Sequence, residues 1–412
     1  MKQVIIHTKD DCPYCEKTKL FFDSHEIPYL AVTYNDDEKR LNFYKKVSEI
    51  EGREINTMPQ IYVDGEYIGG YTSLIRKSGR LLSGKLSMLD SSVTYKPFRY
   101  PWAVELAQRH EKFHWIEDEL DLSEDVSDWK MPNRLTPFEK EFITNVLRLF
   151  TQSDVQVGAN YYDQFLPRIH ANEVRNMLGS FAAREAIHQR AYALLNETLG
   201  LPDSEYHAFL EYKEMADKIE HMASGNPNTH SGLALCMARS VFNEGLMLFA
   251  SFAVLMNFQR FGKMKGMCTV VEWSIRDETM HVEGITKMFR TFCVEKPRIV
   301  TPEFKKEIYN MVRQTVKLED KFIDLLFEGG EIEGLNKEDM KLAIRHLANR
   351  RLVQMGLKAN YTKVTKNPIP WFEELIAGTD HSNFFEKKVT EYEVGGLVGE
   401  FSYDFLKEEK VT

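Results

Sequence analysis

Glu185, His188 and Tyr192 sit three and then four residues apart in the run R-E-A-I-H-Q-R-A-Y, Arg184–Tyr192. The run holds good helix formers and neither Gly nor Pro, so it reads as helix. Residues three and four apart share a helix face. An acid, an imidazole and a phenol therefore point one way. A second Glu-x-x-His follows at Glu278 and His281, in I-R-D-E-T-M-H. A lone acid precedes each copy inside an otherwise apolar helix. Asp154 stands 31 residues before Glu185, and Glu244 stands 34 before Glu278. Each spacing suits a helix, a turn and a return helix. A third match, Glu111–His114, has no such acid before it.

A carboxylate in a helix core is costly unless it is paired or binds metal. Four such acids and two imidazoles, if they converge, supply six ligands. Their four negative charges neutralise two divalent cations. An oxygen-rich set with imidazole suits iron or manganese better than zinc or copper. A lone acid followed by Glu-x-x-His, twice over, is the ligand pattern of dimetal carboxylate bundles. Any one of these residues alone is better read as an ion pair or a core histidine; the doubled pattern with matched spacing is not. Tyr192, one turn beyond His188, is a phenol that such a centre could oxidise or be tuned by.

The second chemical signal is C-P-Y-C at Cys12–Cys15. It follows the strand-like V-I-I-H and opens a helix. A helix N-terminus stabilises the Cys12 thiolate as nucleophile, and Cys15 is placed to resolve a mixed disulfide. Zinc half-sites share this spacing, but the chain has no second pair. Its five cysteines are an odd number, so no disulfide framework is expected and a reducing cytoplasm fits. Cys236, Cys268 and Cys293 read as inert buried thiols.

The elements around these residues divide the chain. Residues 1–84 follow a βαβ-α-ββ-α pattern, with a helix over Asp37–Glu51 and an Asp64-Gly65 hairpin turn. Residues 85–100 have no strong period and read as linker. From Pro101 the strand signals nearly vanish, and 101–385 read as an all-α domain. One helix opens at Thr136 as N-cap, with Pro137 first in the helix and Glu139 completing a capping box. Others are predicted over Asn172–Leu199, Gly232–Phe261 and Met267–Phe292. Residues 386–412 are charged and Gly-containing, and read as a flexible tail.

Composition narrows the function. The 412 residues are 43% hydrophobic and 28% charged, with a net charge of −9. An acidic chain without a basic run argues against nucleic-acid binding. The N-terminus is too short and polar for a signal peptide. The longest apolar run, Gly245 to Phe258, is 14 residues and predicts a buried core helix, not a membrane span.

The helical part resembles the radical-generating small (β) subunit of class I ribonucleotide reductase over most of 101–392. The residues that carry the resemblance are Asp154, E185-x-x-H188-x-x-x-Y192, F-N-E244-G and I-R-D-E278-x-x-H281. It implies a ferritin-like bundle with a dinuclear iron or manganese centre and Tyr192 at the radical-tyrosine position. It implies a radical relay through Trp115, in F-H-W-I-E-D, and Tyr392 in the tail, with Tyr403 the second choice. Asp277 is implied as the acid bonded to a metal-ligating histidine. Leu248 and Phe252 fit the family's apolar pocket for the tyrosine. Ser274 is polar where an aliphatic residue is expected; a hydrogen bond to Tyr192 there is one way to leave the tyrosine redox-silent with the oxidising equivalent on the metals, and the sequence leaves the choice between tyrosine and metals open. The implied partners are the large (α) catalytic subunit, docked by the tail, and a second copy in a homodimer. Whether a flavoprotein activator serves the centre stays open at this level.

Residues 1–84 resemble glutaredoxin, a thioredoxin-like α/β fold. Thr57-Met58-Pro59 looks like the family's Thr-x-Pro with cis proline. Gly69, Gly70 and Thr72 look like its glutathione-binding end, with Ser73 where an acid is usual. The resemblance implies glutathione as reductant. Together the two parts suggest a reductase small subunit carrying its own reductant for the large subunit's disulfide. The alternative is a di-iron oxidase or oxygenase with a redox appendage.

Overall fold

The computed structural model describes residues 3–25, 27–81, 86–92 and 94–375. The predicted tail 386–412, with Tyr392 and Tyr403, lies outside the described residues.

The front part runs β1 (Val4–Thr8), α1 (Pro13–Ser24), β2 (Tyr29–Thr33), α2 (Asp37–Glu51), β3 (Gln60–Val63), β4 (Glu66–Gly69) and α3 (Tyr71–Leu81). The sheet order is β2-β1-β3-β4. β1 pairs parallel to β2 and antiparallel to β3, and β3 pairs antiparallel to β4. Val4, Ile6, Ile61, Val63 and Ile68 from the strands close a small core with Phe22 and Leu74 from the helices. The predicted hairpin turn has Asp64 and Gly65 both at positive φ, as a two-residue turn of this type needs.

The helical part contains α4 (Pro101–Lys112), α5 (Ser123–Lys130), α6 (Pro137–Ala159), α7 (Asn172–Leu199), α8 (Glu205–Ala208) and α9 (Lys213–Ala223). Then come α10 (His230–Phe242), α11 (Leu248–Met256), α12 (Lys265–Glu295), α13 (Pro302–Leu326) and α14 (Lys337–Gln354). α6 packs on α7, and α10 and α11 pack on α12. The Gly245–Phe258 run is buried throughout, inside the bundle.

Local chemistry sets where these helices start and bend. Thr136 Oγ1 accepts from the Glu139 N–H at 3.1 Å, and Glu139 Oε2 accepts from the Thr136 N–H at 2.7 Å, the predicted capping box. α7 stops at Gly200, whose φ of +77° is left-handed. The expected single helix over Gly232–Phe261 is broken by a π turn at Asn243–Met247 and ends in a 3₁₀ turn at Asn257–Phe261. In the π turn Leu248 N–H bonds to the Asn243 carbonyl, five residues back. A second π turn spans Asn160–Phe165. Such turns gather at functional sites because they rotate the side chains beyond them.

The described residues of the predicted linker 85–100 seat on the bundle. The Met88 carbonyl accepts from His170 and Ala171 N–H, both at 2.9 Å. Met88 N–H donates to Glu295 Oε2 at 2.9 Å, and Arg99 N–H to Glu173 Oε1 at 2.6 Å. His25 Nε2 meets Asp90 Oδ1 at 2.8 Å and ties the end of α1 to this stretch.

α12 carries the second Glu-x-x-His, Glu278 and His281, and its start is fixed from outside. The buried Asp125 carboxylate of α5 accepts the N–H groups of Gly266 at 2.7 Å and Met267 at 2.8 Å. A Cβ on Gly266 would lie 2.5 Å from Asp125 Oδ2, so only glycine admits the acid there. Asp125→Ala leaves two buried helix-end donors without an acceptor. The expected loss is about 2–3 kcal/mol, read as a lower melting temperature of the helical part; an unchanged melting curve would remove Asp125 from this role.

Candidate metal centre and dithiol site

Asp154 comes from α6, Glu185 and His188 from α7, Glu244 from the π turn between α10 and α11, and Glu278 and His281 from α12. All six side chains are at most 1% exposed. Glu185 turns Oε1 to His281 Nδ1 at 3.0 Å and Oε2 to His188 Nδ1 at 3.5 Å. Glu278 does the same in mirror fashion, with Oε1 3.4 Å from His188 Nδ1 and Oε2 3.4 Å from His281 Nδ1. Two carboxylates therefore bridge the two imidazoles. Asp154 stands at the His188 end and Glu244 at the His281 end, so the ligand atoms fall into two overlapping groups.

The electrostatics ask for cations. Asp154 Oδ2, both oxygens of Glu185 and of Glu278, and His281 Nδ1 are buried and, apart from the carboxylate–imidazole approaches above, have no hydrogen-bond partner among the described residues. Burial pushes the Asp154 carboxyl well above the usual range and the Glu244 carboxyl to about 7. Buried oxygens left this way are expensive. Oxygen atoms from four acids and one nitrogen from each of two imidazoles fit two hard-to-borderline divalent ions.

Asp277 is different. It is equally buried, but its Oδ2 accepts from Trp115 Nε1 at 2.7 Å, His188 Nε2 at 3.3 Å and Arg184 Nη1 at 3.3 Å. Burial alone would raise this carboxyl; the bond from His188 and the Arg184 charge hold it well below the usual range. The Trp115 ring stacks on His188 with centroids 5.8 Å apart.

Tyr192 is fully buried, and its ring lies against Phe150, with centroids 4.8 Å apart. Its hydroxyl donates to Ser274 Oγ at 3.2 Å. Burial, and then the Asp154 charge, push the phenol well above its ordinary range. Leu248 and Phe252 are buried, and Phe252 packs on Phe150.

Three neighbours escaped the sequence reading. Tyr161 donates to Glu244 Oε2 at 2.6 Å, and Ser240 donates to Glu244 Oε1. His110 lies against His281. Tyr161 is seven residues after Asp154 and Ser240 four before Glu244, so helical spacing was a usable signal for both. His110 comes from a helix without any other ligand and left none.

At the front, Cys12 caps α1 and is joined to Cys15 in a disulfide with Cα atoms 5.2 Å apart. Cys12 Sγ accepts the Cys15 N–H at 3.2 Å. That bond would stabilise a thiolate at the same place. The Met58–Pro59 peptide is cis, and Cys12 Sγ lies 3.7 Å from the Met58 carbonyl. Thr57, ahead of β3, is exposed; where β4 meets α3, Gly70 is half-buried and Thr72 exposed. Gly69 has φ of +104°. Cys236 and Cys268 are buried as expected, whereas Cys293, near the end of α12, is only half-buried; burial pushes Cys236 and Cys268 up, and Cys293 to about 11.

Known proteins share both halves. Residues 92–368 match the family model "Ribonucleotide reductase, small chain", and residues 4–68 match "Glutaredoxin". A probable ribonucleoside-diphosphate reductase small subunit of Invertebrate iridescent virus 3 is 40% identical over 338 residues, 77% of this chain and 89% of that protein. The ribonucleotide reductase R2 subunit of Clostridium botulinum superposes with a TM-score of 0.65 at 24% identity, over 71% of this chain and 94% of its own. The dimanganese(II)-NrdF of Streptococcus sanguinis superposes with a TM-score of 0.61 at 17% identity, over 69% and 99%. The relatives favour the reductase over the oxidase alternative. The chain thus belongs to the ribonucleotide reductase small-chain family and carries a glutaredoxin domain ahead of it on the same polypeptide.

Proposed function

We propose that this small subunit generates the oxidising equivalent for ribonucleoside-diphosphate reduction and also returns electrons to its large catalytic subunit. The observation that carries the reading is one chain holding both a buried six-residue ligand cluster and a C-x-x-C disulfide at a helix start. Asp154, Glu185, His188, Glu244, Glu278 and His281 are the proposed ligands of two manganese or iron ions. When bound, that metal pair supplies a one-electron oxidant.

The chain's own residues then direct the charge. Trp115 shares the Asp277 carboxylate with His188, so electron loss from the indole meets a proton acceptor already in place. Tyr392 in the tail is the proposed next carrier, ahead of Tyr403, toward the large subunit. Tyr192 keeps its proton: Ser274, a neutral hydroxyl, accepts its hydrogen bond but is no base. The oxidising equivalent is therefore proposed to stay with the metals. A homodimer of the helical part is the proposed assembly.

The front domain, residues 1–84, performs dithiol exchange. The Cys12 thiolate attacks a sulfur of the large subunit's disulfide and expels one client thiolate. The Cys15 thiolate then attacks Cys12, releasing the second client thiolate and forming the Cys12–Cys15 disulfide. Two glutathiones reduce that bond and leave as oxidised glutathione. Thr57, Met58, Pro59, Gly69, Gly70 and Thr72 are the proposed cradle for the incoming thiol tripeptide. A tether keeps this dithiol at high effective concentration near its client.

Three measurements test this reading. Aerobically loaded protein is expected to hold two metal ions per chain and to give a broad metal-centred paramagnetic resonance signal. A narrow organic-radical line would instead place the oxidant on Tyr192. Tyr392→Phe should abolish turnover with the large subunit and leave metal content and that signal intact; unchanged turnover would end the relay proposal. Cys12→Ser should abolish glutathione-driven turnover while turnover driven by a small dithiol persists. Undiminished turnover under both reductants would point to docking in place of redox exchange.

A further inference from the structure

The two ends of the ligand cluster offer similar residues: Asp154, Glu185 and His188 at one, and Glu185, Glu244, Glu278 and His281 at the other, with Glu278 also 3.4 Å from His188 Nδ1. Their outer partners differ. His188 turns Nε2 to the Asp277 carboxylate, an anion. His281 turns Nε2 to another imidazole: His110 Nε2 lies 3.2 Å away. His110 comes from α4, is 1% exposed, and has Nδ1 2.8 Å from Ser180 Oγ on α7. The Phe181 ring flanks both imidazoles, with centroids 4.4 Å from His281 and 5.0 Å from His110.

Hydrogen-bond counting fixes the roles. His281 faces the carboxylates with Nδ1, so a metal takes that lone pair and the ring proton sits on Nε2. That N–H needs an acceptor. A neutral imidazole has one N–H and one lone pair. His110 can accept only if its own proton is on Nδ1, where Ser180 Oγ is placed to receive it. The row is His281 Nε2–H to His110 Nε2, then His110 Nδ1–H to Ser180 Oγ.

We infer that His110 is a positioning residue that orients His281 and makes the two metal positions unequal. The inference rests on the two-metal reading above. An anionic acceptor polarises a ligand imidazole more than a neutral ring nitrogen does. His188 is therefore the stronger donor and His281 the weaker. Glu244 adds to the difference, since Tyr161 and Ser240 both draw on its charge. The position built on Glu244 and His281 fills second.

The test is an anaerobic Mn(II) titration of the full-length chain, with free Mn(II) read by paramagnetic resonance. The unaltered protein is expected to show two unequal sites per chain. His110→Phe keeps a ring but removes the acceptor. It should weaken the weaker site by about 10- to 100-fold and leave the tighter one unchanged. His110→Gln, whose amide oxygen can accept, should restore much of the loss. Two unchanged sites in His110→Phe, equal weakening of both, or no recovery in His110→Gln overturns the inference. Fewer than two sites in the unaltered protein overturns the two-metal reading itself, a separate outcome.

Discussion

The helical part is organised by one constraint: several carboxylates, Asp125, Asp154, Glu185, Glu244, Asp277 and Glu278 among them, sit where water cannot reach them. A buried acid must find donors, take a proton or bind a cation. The chain distinguishes these fates clearly. Asp277 has three donors and stays ionised. Asp125 is spent on two helix-end amides. The oxygens of Glu185 and Glu278 face only the Nδ1 atoms of His188 and His281, and among the described residues none of the four has a well-formed hydrogen bond. The first two acids belong to the protein's own structure; the second two are held ready for something positively charged. The caps and π turns can be read as the means of holding them there.

That constraint also explains how much was legible from sequence. An acid inside an apolar run is visible without coordinates because it breaks the pattern. Two such breaks, each followed at matched distance by Glu-x-x-His, are visible twice over. Caps such as Thr136 and boundaries such as Asn172–Leu199 were readable because capping chemistry is local. The π turn at Asn243–Met247 was not, because its sequence F-N-E-G-L-M suits an α-helix equally well. What selects the wider turn is packing from other elements: the guanidinium of Arg351 bonds the Gly245 carbonyl at 2.7 Å, across 106 residues. Residues 85–100 were read as linker for the related reason that individual long-range bonds leave no period. His110 was missed because its partner lies 171 positions away.

The two domains perform chemistries that would interfere if they shared a site. One handles single electrons and needs a dry, pre-shaped interior, since any mobile thiol near a strong oxidant would be consumed. The other handles electron pairs through sulfur and needs Cys12 near a surface that a client can reach. Cys236 and Cys268 in the helical part follow the same logic: both are buried, and burial pushes their thiols up, which disfavours the thiolate nucleophile. Placing both domains on one chain gains proximity without mixing the two environments.

Tyr192 shows how small a difference separates two ways of using the same bundle. A phenol gives up an electron readily only when its proton can leave with it. Here the proton points at Ser274 Oγ, and burial with the nearby Asp154 charge opposes forming a phenolate. The Ser274 hydroxyl takes the phenol's hydrogen bond, and in the proposed function charge leaves the cluster along the hydrogen-bonded row from His188 through Asp277 to Trp115.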